Sequence, residues 1–290
     1  MRFGNLAERL VLITADGAID AAEASGGAVP SDPQEALEVW DEVLSWASSA
    51  ETRPVPFDQT DLGAPVPRPR QVFALALNYA DHASEGGVPI PEYPITFTKY
   101  PTCITGPFAE VALSSERVDW ELELVVVLGR VAHRVAVDDA WDFVAGLTVG
   151  QDLSDRGVQH RKPAPQFSLG KSFPGYGPLG PVLVTPDEFT SIDDLQLQCT
   201  LNGEVVQSGR TSDLVFSVPQ LISELSAIVP LQPGDVIFTG TPAGVGMSRT
   251  PPQFLAPGDV LESSIEGIGT IRTTFAVTAP LSELSVSVSA

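Results

Sequence analysis

The sequence predicts a β-rich α+β fold, in which a small N-terminal α/β domain precedes a larger main domain that is rich in strands. From Gln71 onward, short runs of Val, Ile, Leu and Phe alternate with Gly and Pro, a pattern typical of strands joined by tight turns. Two similar units, Gln232-Pro-Gly-Asp-Val-Ile-Phe and Ala256-Pro-Gly-Asp-Val-Leu-Glu, each predict a turn that leads into a strand. Helical spacing of apolar residues interrupts the strands at about Val218–Ile228.

The N-terminal domain is predicted over residues 1–65. Apolar runs predict short strands around Leu10–Thr14 and Gly17–Asp20, and apolar residues at helical spacing then predict one helix over Pro33–Ala47, capped by Ser31 or Asp32. The prolines between Pro54 and Arg70 exclude regular ladders and indicate an extended linker. We therefore expect a main domain over 66–280 and a C-terminal tail over 281–290.

The composition disfavours several classes of function. The 290 residues include 37 Asp and Glu against 16 Lys and Arg, giving a formal charge of −21 that repels nucleic acid and anionic lipid. No apolar run approaches the roughly 18–20 residues that a bilayer span requires. The two cysteines form no CxxC pair, which fits a reducing cytoplasm, and only three histidines are present, which disfavours a zinc site of His and Cys.

Carboxylates at the ends of two predicted strands indicate a metal site. Glu121 and Glu123 lie two apart on a strand and share one face, and the strand becomes apolar on both faces, which predicts burial on both sides. Two neighbouring buried carboxylates are costly to ionise without a cation, although a strand end that reaches water is the alternative. Asp152 ends the next apolar strand and completes an all-oxygen set that suits Mg²⁺ or Mn²⁺, with Ca²⁺ as an alternative.

Two further pairs of residues have spacings that could serve catalysis or substrate binding. His82 and Glu85 are three apart, so on a helical turn the carboxylate can fix the tautomer of the imidazole and raise its basicity. On spacing alone, an exposed surface pair is the simpler interpretation. Arg156 and Gln159 follow Asp152 by four and seven positions, so a short helix there places them on one face, where Arg156 can hold a carboxylate bidentately.

Five segments in order resemble the fumarylacetoacetate hydrolase family over roughly residues 70–275. They are Asn78-Tyr-Ala-Asp-His-Ala-Ser-Glu85, the Glu121-x-Glu123 strand, Asp152-Leu-Ser-Asp-Arg-Gly-Val-Gln159, Gly170-Lys-Ser-Phe173 and Gly240-Thr-Pro-Ala-Gly-Val245. The resemblance implies a mixed β-sandwich roll that is usually a homodimer. It also implies metal ligands (Glu121, Glu123, Asp152), a pair that activates water (His82, Glu85), a lysine that stabilises negative charge on the substrate (Lys171) and a substrate contact (Thr241).

The chain departs from the family pattern at two places, which leaves its substrate open. Phe-Ala-Leu-Ala-Leu precedes Asn78 where relatives often have glycines and sometimes Arg, and Asp155 and Gly157 flank Arg156 where Ala and Asp are common. Neither departure touches the expected metal ligands.

The resemblance favours a hydrolase that cleaves a C–C bond in a small anionic 1,3-dicarbonyl compound, such as an acylpyruvate. His82 would activate water, and the metal and Lys171 would stabilise the enolate that leaves. The alternatives are a metal-dependent 2-oxo acid decarboxylase, an isomerase or a hydratase on the same fold, and a non-catalytic binding protein. A non-catalytic binding protein would be expected to lose the metal ligands or the His-Glu pair, and this chain retains both.

Overall fold

The computed structural model describes residues 1–277, so the predicted tail over 281–290 and the last three residues of the predicted main domain lie outside the described part. The strands are β1 Arg2–Leu6, β2 Arg9–Thr14, β3 Gly17–Asp20, β4 Leu62–Gly63, β5 Val72–Ala76, β6 Ile95–Thr98, β7 Ile104–Thr105, β8 Glu110–Leu113, β9 Val118–Asp119, β10 Leu122–Leu128, β11 Val144–Gln151, β12 Ser154–Asp155, β13 Gly177–Val184, β14 Gln196–Leu201, β15 Glu204–Arg210, β16 Val236–Phe238, β17 Val260–Ile265 and β18 Gly269–Val277. The α-helices are α1 Ala21–Ala24, α2 Pro33–Glu38, α3 Trp40–Ala47, α4 Ala80–Glu85, α5 Arg156–Gln159, α6 Phe167–Gly170 and α7 Val218–Ile228.

A large mixed sheet forms the centre of the molecule. Its strand order is β3-β2-β1-β13-β11-β10-β16-β5-β6, and the short strands β4 and β7 pair with β1 and β13. Most pairs are antiparallel, whereas β16 and β5 run parallel. A second, five-stranded sheet has the order β15-β14-β17-β18-β8 and packs against the first. This arrangement confirms the predicted β-rich α+β class and its mixed sheets.

Strand β10 is buried along its whole length, because each of its faces has its own apolar cover. Leu124 and Val126 pack into the core between the two sheets. Val125 and Val127, on the other face, pack into a core that includes Trp40 of the N-terminal helices. The continuous apolar sequence of β10 and the alternation of its side chains therefore match the prediction of a strand buried on both sides.

The N-terminal region joins the large sheet directly. Strands β2 and β3 confirm the two strands predicted there, but β1, which the sequence analysis missed, pairs with β13 and links them to the main sheet. The boundary at residue 65 stays a prediction. The single helix predicted over 33–47 is wrong: the chain leaves helical geometry at Val39 (φ −125°, ψ 41°), and the turn allows Trp40 to pack edge-on against Phe3. Asp32 caps the first of the two helices.

Other local predictions are confirmed. Helix α7 spans Val218–Ile228, and a capping box between Ser217 and Gln220 fixes its start. The two Pro-Gly turns lead into β16 and β17. Within residues 1–277, no helix combines the length and the apolar character needed to cross a membrane.

Candidate metal centre and adjoining cavity

The predicted carboxylates converge at one end of β10. Glu121 directly precedes the strand, Glu123 lies within it, and Asp152 directly follows β11, which pairs with β10. The amide of Asp152 donates to the carbonyl of Glu121 at 2.9 Å, which holds the two strand ends together. One oxygen of each of the three side chains lies within 4.8 Å of the other two, and the three residues are buried. The three acids therefore form a compact set of hard oxygen ligands.

Two buried lysines balance much of this negative charge. Lys171 Nζ donates to Glu121 Oε2 at 2.7 Å, to Asp152 Oδ2 at 2.6 Å and to Ser154 Oγ at 2.8 Å. Lys99 Nζ contacts the other oxygen of Asp152 at 2.7 Å and donates to the carbonyl of Tyr176 at 3.0 Å. Although burial opposes the charge of Lys99, the nearby Asp152 carboxylate keeps its pKa above the ordinary value.

The two glutamates of the trio have opposite pKa shifts. Burial alone would raise the pKa of Glu121, but Lys171 and Arg156 hold it well below its ordinary value. Burial raises the pKa of Glu123 well above its ordinary value, and Asp152 and Glu121 raise it further. Glu123 Oε2 accepts from the amide of Gly240 at 2.7 Å, whereas its buried Oε1 has no hydrogen-bond partner within the described residues. A divalent cation fits here, because it would coordinate this oxygen and relieve the repulsion among the acids.

His82 and Glu85 lie on α4, one helical turn apart as the spacing predicted. His82 Nδ1 and Glu85 Oε1 are 2.8 Å apart, and the second oxygen of Glu85 accepts from the amide of Gly244 at 3.0 Å. The side chains are 16% and 22% exposed, so the pair is not the freely exposed surface pair that spacing alone favoured. Because Nδ1 faces the carboxylate, Nε2 is the ring nitrogen that takes no part in this pair.

Helix α5 carries Arg156 and Gln159, and both side chains are buried. Arg156 Nη2 lies 2.7 Å from Glu121 Oε1, and Arg156 Nη1 donates to Gln159 Oε1 at 2.8 Å. Asp155, one of the departures from the family pattern, caps this helix by accepting from the amide of Val158 at 3.0 Å. Its other oxygen accepts from Ser114 Oγ at 2.6 Å, so its contacts support the helix.

Thr241 lies in the turn that follows β16. Its hydroxyl donates to the carbonyl of Leu122 at 2.8 Å and accepts from Gln207 Nε2 at 2.7 Å, which ties the turn to the start of β10. Gly240 adopts φ +101°, and a Cβ there would lie 2.8 Å from the Cβ of Asn78. Glycine is therefore required for the turn to bring the Gly240 amide to Glu123.

One cavity of about 320 Å³ joins these groups. Its wall includes most of the predicted site residues: His82, Glu121, Arg156, Gln159, Lys171 and Thr241. Three predicted residues do not line the cavity themselves. Glu85 contacts His82, whereas Glu123 and Asp152 belong with Glu121 to the buried carboxylate trio, which Lys171 contacts. Most of the other residues in the wall are apolar, and Gly86, His160 and Ser248 complete it; the apolar ones are Leu75, Ala76, Leu77, Val88, Phe97, Phe167 and Met247. The structure thus brings the predicted residues together, while their individual roles stay predictions.

Two charged residues of the site have no role assigned from the sequence. Lys99 contacts Asp152, and the fully buried Asp119 contacts Arg156. The shortage of lysine in this acidic chain, which has 13 Arg and 3 Lys, marks Lys99 as a candidate for a point charge in a site, but the sequence gives it no role and no partner. Asp119 begins the Asp-Trp-Glu-x-Glu run, but nothing in that run indicates an arginine partner 37 positions away.

The comparisons with known proteins agree with this geometry. The family model for the fumarylacetoacetate (FAA) hydrolase C-terminal domain matches residues 71–276. A mitochondrial oxaloacetate tautomerase of Homo sapiens is 45% identical over 227 residues, which cover 78% of this chain and 72% of the relative. The name of that relative places it in mitochondria, so a cytoplasmic location for this chain stays a prediction.

Solved structures extend the similarity to nearly the whole chain. A Mycobacterium smegmatis protein provisionally called HpcE is 51% identical with a TM-score of 0.93, and the match covers 96% of this chain and 100% of the other. Maleylpyruvate hydrolase from Sphingobium, solved with manganese(II) and pyruvate, is 26% identical with a TM-score of 0.80 and is matched over 96% of this chain and 100% of its own. With its buried carboxylate trio, its His-Glu pair and a family match over most of its length, this chain belongs to the fumarylacetoacetate hydrolase family.

Proposed function

We propose that this chain is a metal-dependent enzyme that forms and reprotonates the enolate of a small 2-oxo acid, with keto–enol tautomerisation as its reaction and Mg²⁺ or Mn²⁺ as its cofactor. The observation that carries the proposal is that the His82–Glu85 pair and the acid cluster with Lys171 line or support one cavity. An enzyme that interconverts a ketone and its enol needs a base near the carbon acid and positive charge near the oxygen.

Different residues of the site would transfer the proton, stabilise the negative charge and bind the substrate carboxylate. A bound divalent cation would supply Lewis acidity toward the 2-oxo carbonyl. His82, held by Glu85, removes a proton from the carbon beside the carbonyl through Nε2 and can return it. The ammonium of Lys171 lies beside Glu121 and Asp152 and stabilises the negative charge that develops on oxygen. Arg156 and Gln159, on the same wall, bind the carboxylate of the substrate.

The tautomerase relatives support this reaction, because the human protein that is 45% identical carries that name. Hydrolysis of a C–C bond in a 1,3-dicarbonyl, the reaction that the sequence analysis favoured, is the second candidate. The maleylpyruvate hydrolase neighbour favours it, as does the orientation of His82 by Glu85, which would equally activate water. Both reactions pass through enolate charge at the same groups.

The test begins with protein stripped of metal by a chelator and checked by elemental analysis. The enol of oxaloacetate, followed by its ultraviolet absorbance, should be converted to the ketone only after Mg²⁺ or Mn²⁺ is restored, and Ca²⁺ is the comparison. Pyruvate release and products from acylpyruvates, resolved by NMR, measure decarboxylation and hydrolysis. Unchanged turnover in metal-free protein would rule out the metal-dependent mechanism, and rapid hydrolysis without tautomerisation would replace the first candidate by the second.

We also propose that the chain forms a homodimer, because C2 dimers are the commonest soluble assemblies and the family is usually dimeric. Light scattering at micromolar concentration should give twice the 30.7 kDa of the chain. A monomer mass would contradict this assembly without affecting the proposed reaction.

A further inference from the structure

Asp119 is a fully buried carboxylate outside the predicted ligand set, and it joins three parts of the site. Its Oδ1 accepts from the amides of Trp120 at 2.8 Å and Gly246 at 2.7 Å. Its Oδ2 accepts from Arg156 Nε at 2.9 Å and from the amide of Met247 at 2.9 Å, and Arg156 Nη2 lies 2.8 Å away. Asp119 therefore holds Arg156 along one edge of the guanidinium and also holds the segment that carries Met247.

The segment held by Asp119 forms part of the cavity wall. Met247 and Ser248 line the same cavity as Arg156 and Lys171. The approach of this segment depends on Gly246, where a Cβ would lie 2.0 Å from the carbonyl oxygen of Gln253 and 2.8 Å from Asp119 Oδ1. The close packing at Gly246 and the two amide hydrogen bonds fix the wall on the carboxylate of Asp119.

We propose that Asp119 is a positioning residue for substrate binding, which rests on the proposed function above. Arg156 lies between two carboxylates, Asp119 and Glu121, and the site needs Glu121 for the metal. Asp119 holds the guanidinium in place, so that Arg156 stays on the cavity wall whatever Glu121 binds. Without the charge of Asp119, Arg156 would turn toward Glu121 and the Gly246–Ser248 wall would lose its anchor.

Three explanations of Asp119 predict different changes in the affinity for an anion when its charge is removed. If Asp119 contributed only negative charge, its removal would strengthen the binding of an anion. If it were only an anchor for the Gly246–Ser248 wall, its removal would lower stability, and any effect on the affinity for an anion would be independent of Arg156. Positioning of Arg156 predicts weaker binding of an anion despite the gain in net positive charge.

The experiment compares Asp119→Asn with Asp235→Asn, a matched change at another fully buried aspartate. Asp235 accepts from the amides of Gln71 at 3.0 Å and Gln232 at 2.7 Å, and it does not line the cavity. Calorimetry of Mn²⁺-loaded protein with oxalate, which has the planar shape of an enolised 2-oxo acid, should give at least about a 10-fold weaker Kd for Asp119→Asn than for wild type. Asp235→Asn should leave that Kd unchanged, and a Mn²⁺ titration of each apoprotein followed by EPR controls for metal loading.

A second variant, Arg156→Lys, keeps the test decisive if Asp119→Asn does not fold. Lysine keeps the charge but cannot span Asp119 and Glu121, so oxalate should again bind at least about 10-fold more weakly. In the double variant the two losses should not add, because both act through one side chain. Unchanged or tighter oxalate binding in a folded Asp119→Asn protein, or in Arg156→Lys, would overturn the positioning role. Failure of the wild-type protein to tautomerise any 2-oxo acid would instead refute the proposed function.

Discussion

The two sheets of this protein differ in how far their charged side chains are exposed to water. At the end of β10 in the large sheet, three carboxylates and two lysines are almost completely withdrawn from water. In the five-stranded sheet, burial alternates along β17 and β18, so the charged side chains lie on the face turned to solvent. The difference follows from the covering layers, since the large sheet is packed on both faces and the smaller one on a single face.

Burial changes what the same residue types contribute. The Glu262–Arg272 pair of the five-stranded sheet is 3.8 Å apart and about half exposed, so water screens it. The pairs around Asp152 and Glu121 have little contact with water, so each charge there depends on its partners. Because β10 is covered on both faces, its acids lie where cations and hydrogen-bond donors, rather than water, have to stabilise their charge.

The largest effect is expected from Glu123→Gln, which keeps an acceptor for Gly240 but removes the charge. Mn²⁺ affinity should fall more than about 100-fold, because losing even a residue that only supports a ligand costs up to about that factor. The apoprotein should be no less stable than wild type, since burial and neighbouring acids raise the pKa of Glu123 and disfavour its charge. Mn²⁺ titration and urea unfolding measure the two quantities.

The control for that prediction lies in the other sheet. Glu262→Gln should leave both Mn²⁺ affinity and stability close to wild type, since this carboxylate is half exposed. Tight Mn²⁺ binding by Glu123→Gln would show that the buried trio is not the metal site.

The next effect separates proton transfer from metal binding. His82→Ala should slow the conversion of enol to ketone by about 10²–10⁴-fold, the usual cost of removing a general base. Its Mn²⁺ affinity should be unchanged, because His82 contacts Glu85 and is not one of the three predicted metal ligands. The measurement is steady-state turnover at saturating metal, beside a metal titration. A rate equal to wild type would exclude His82 as the base for tautomerisation.

How far the sequence predicts this site depends on the range of the contacts involved. The alternation along β10 is local, so the shared face of Glu121 and Glu123 could be predicted, as could the one-turn spacing of His82 and Glu85. The register that places Asp152 beside Glu121 required an assumption about pairing, and the strands β10 and β11 pair accordingly.

The sequence does not predict contacts made by distant parts of the chain. Lys99 reaches Asp152 across 53 positions, and the interpretation of Arg156 as a substrate ligand did not foresee its contact with Asp119. Strand β1, with a glycine and an asparagine in its centre, has little local signal and depends on pairing with β13. The break at Val39 likewise depends on the packing of Trp40 against Phe3.

Lys99→Met should affect catalysis less than His82→Ala does, but it should lower the free energy of unfolding substantially. Methionine is close in length to lysine but cannot neutralise Asp152 Oδ1 or donate to the carbonyl of Tyr176. Breaking a buried ion pair by removing one partner typically costs about 3–5 kcal/mol when the other charge is left without compensation. The loss here should reach at most that range, because Lys171 still contacts Asp152 Oδ2 at 2.6 Å. Urea unfolding of the apoprotein measures the loss. A change below about 1 kcal/mol would show that Lys171 alone compensates the charge of Asp152 and that Lys99 is not needed for stability.

The smallest loss of stability is expected from Arg272→Met in the five-stranded sheet. The substitution is the same kind of change as Lys99→Met, since both replace a cation that contacts a carboxylate with an apolar chain. Arg272 and Glu262 are 49% and 48% exposed, so their interaction is screened, and the free energy of unfolding should change by less than about 1 kcal/mol. Added salt should make the difference from wild type smaller still, because surface attractions weaken with ionic strength. Urea unfolding of both variants in one buffer gives the ratio of the two losses. If Arg272→Met cost as much as Lys99→Met, burial would not be what distinguishes the two sheets, and the stability of the carboxylate cluster would need another cause.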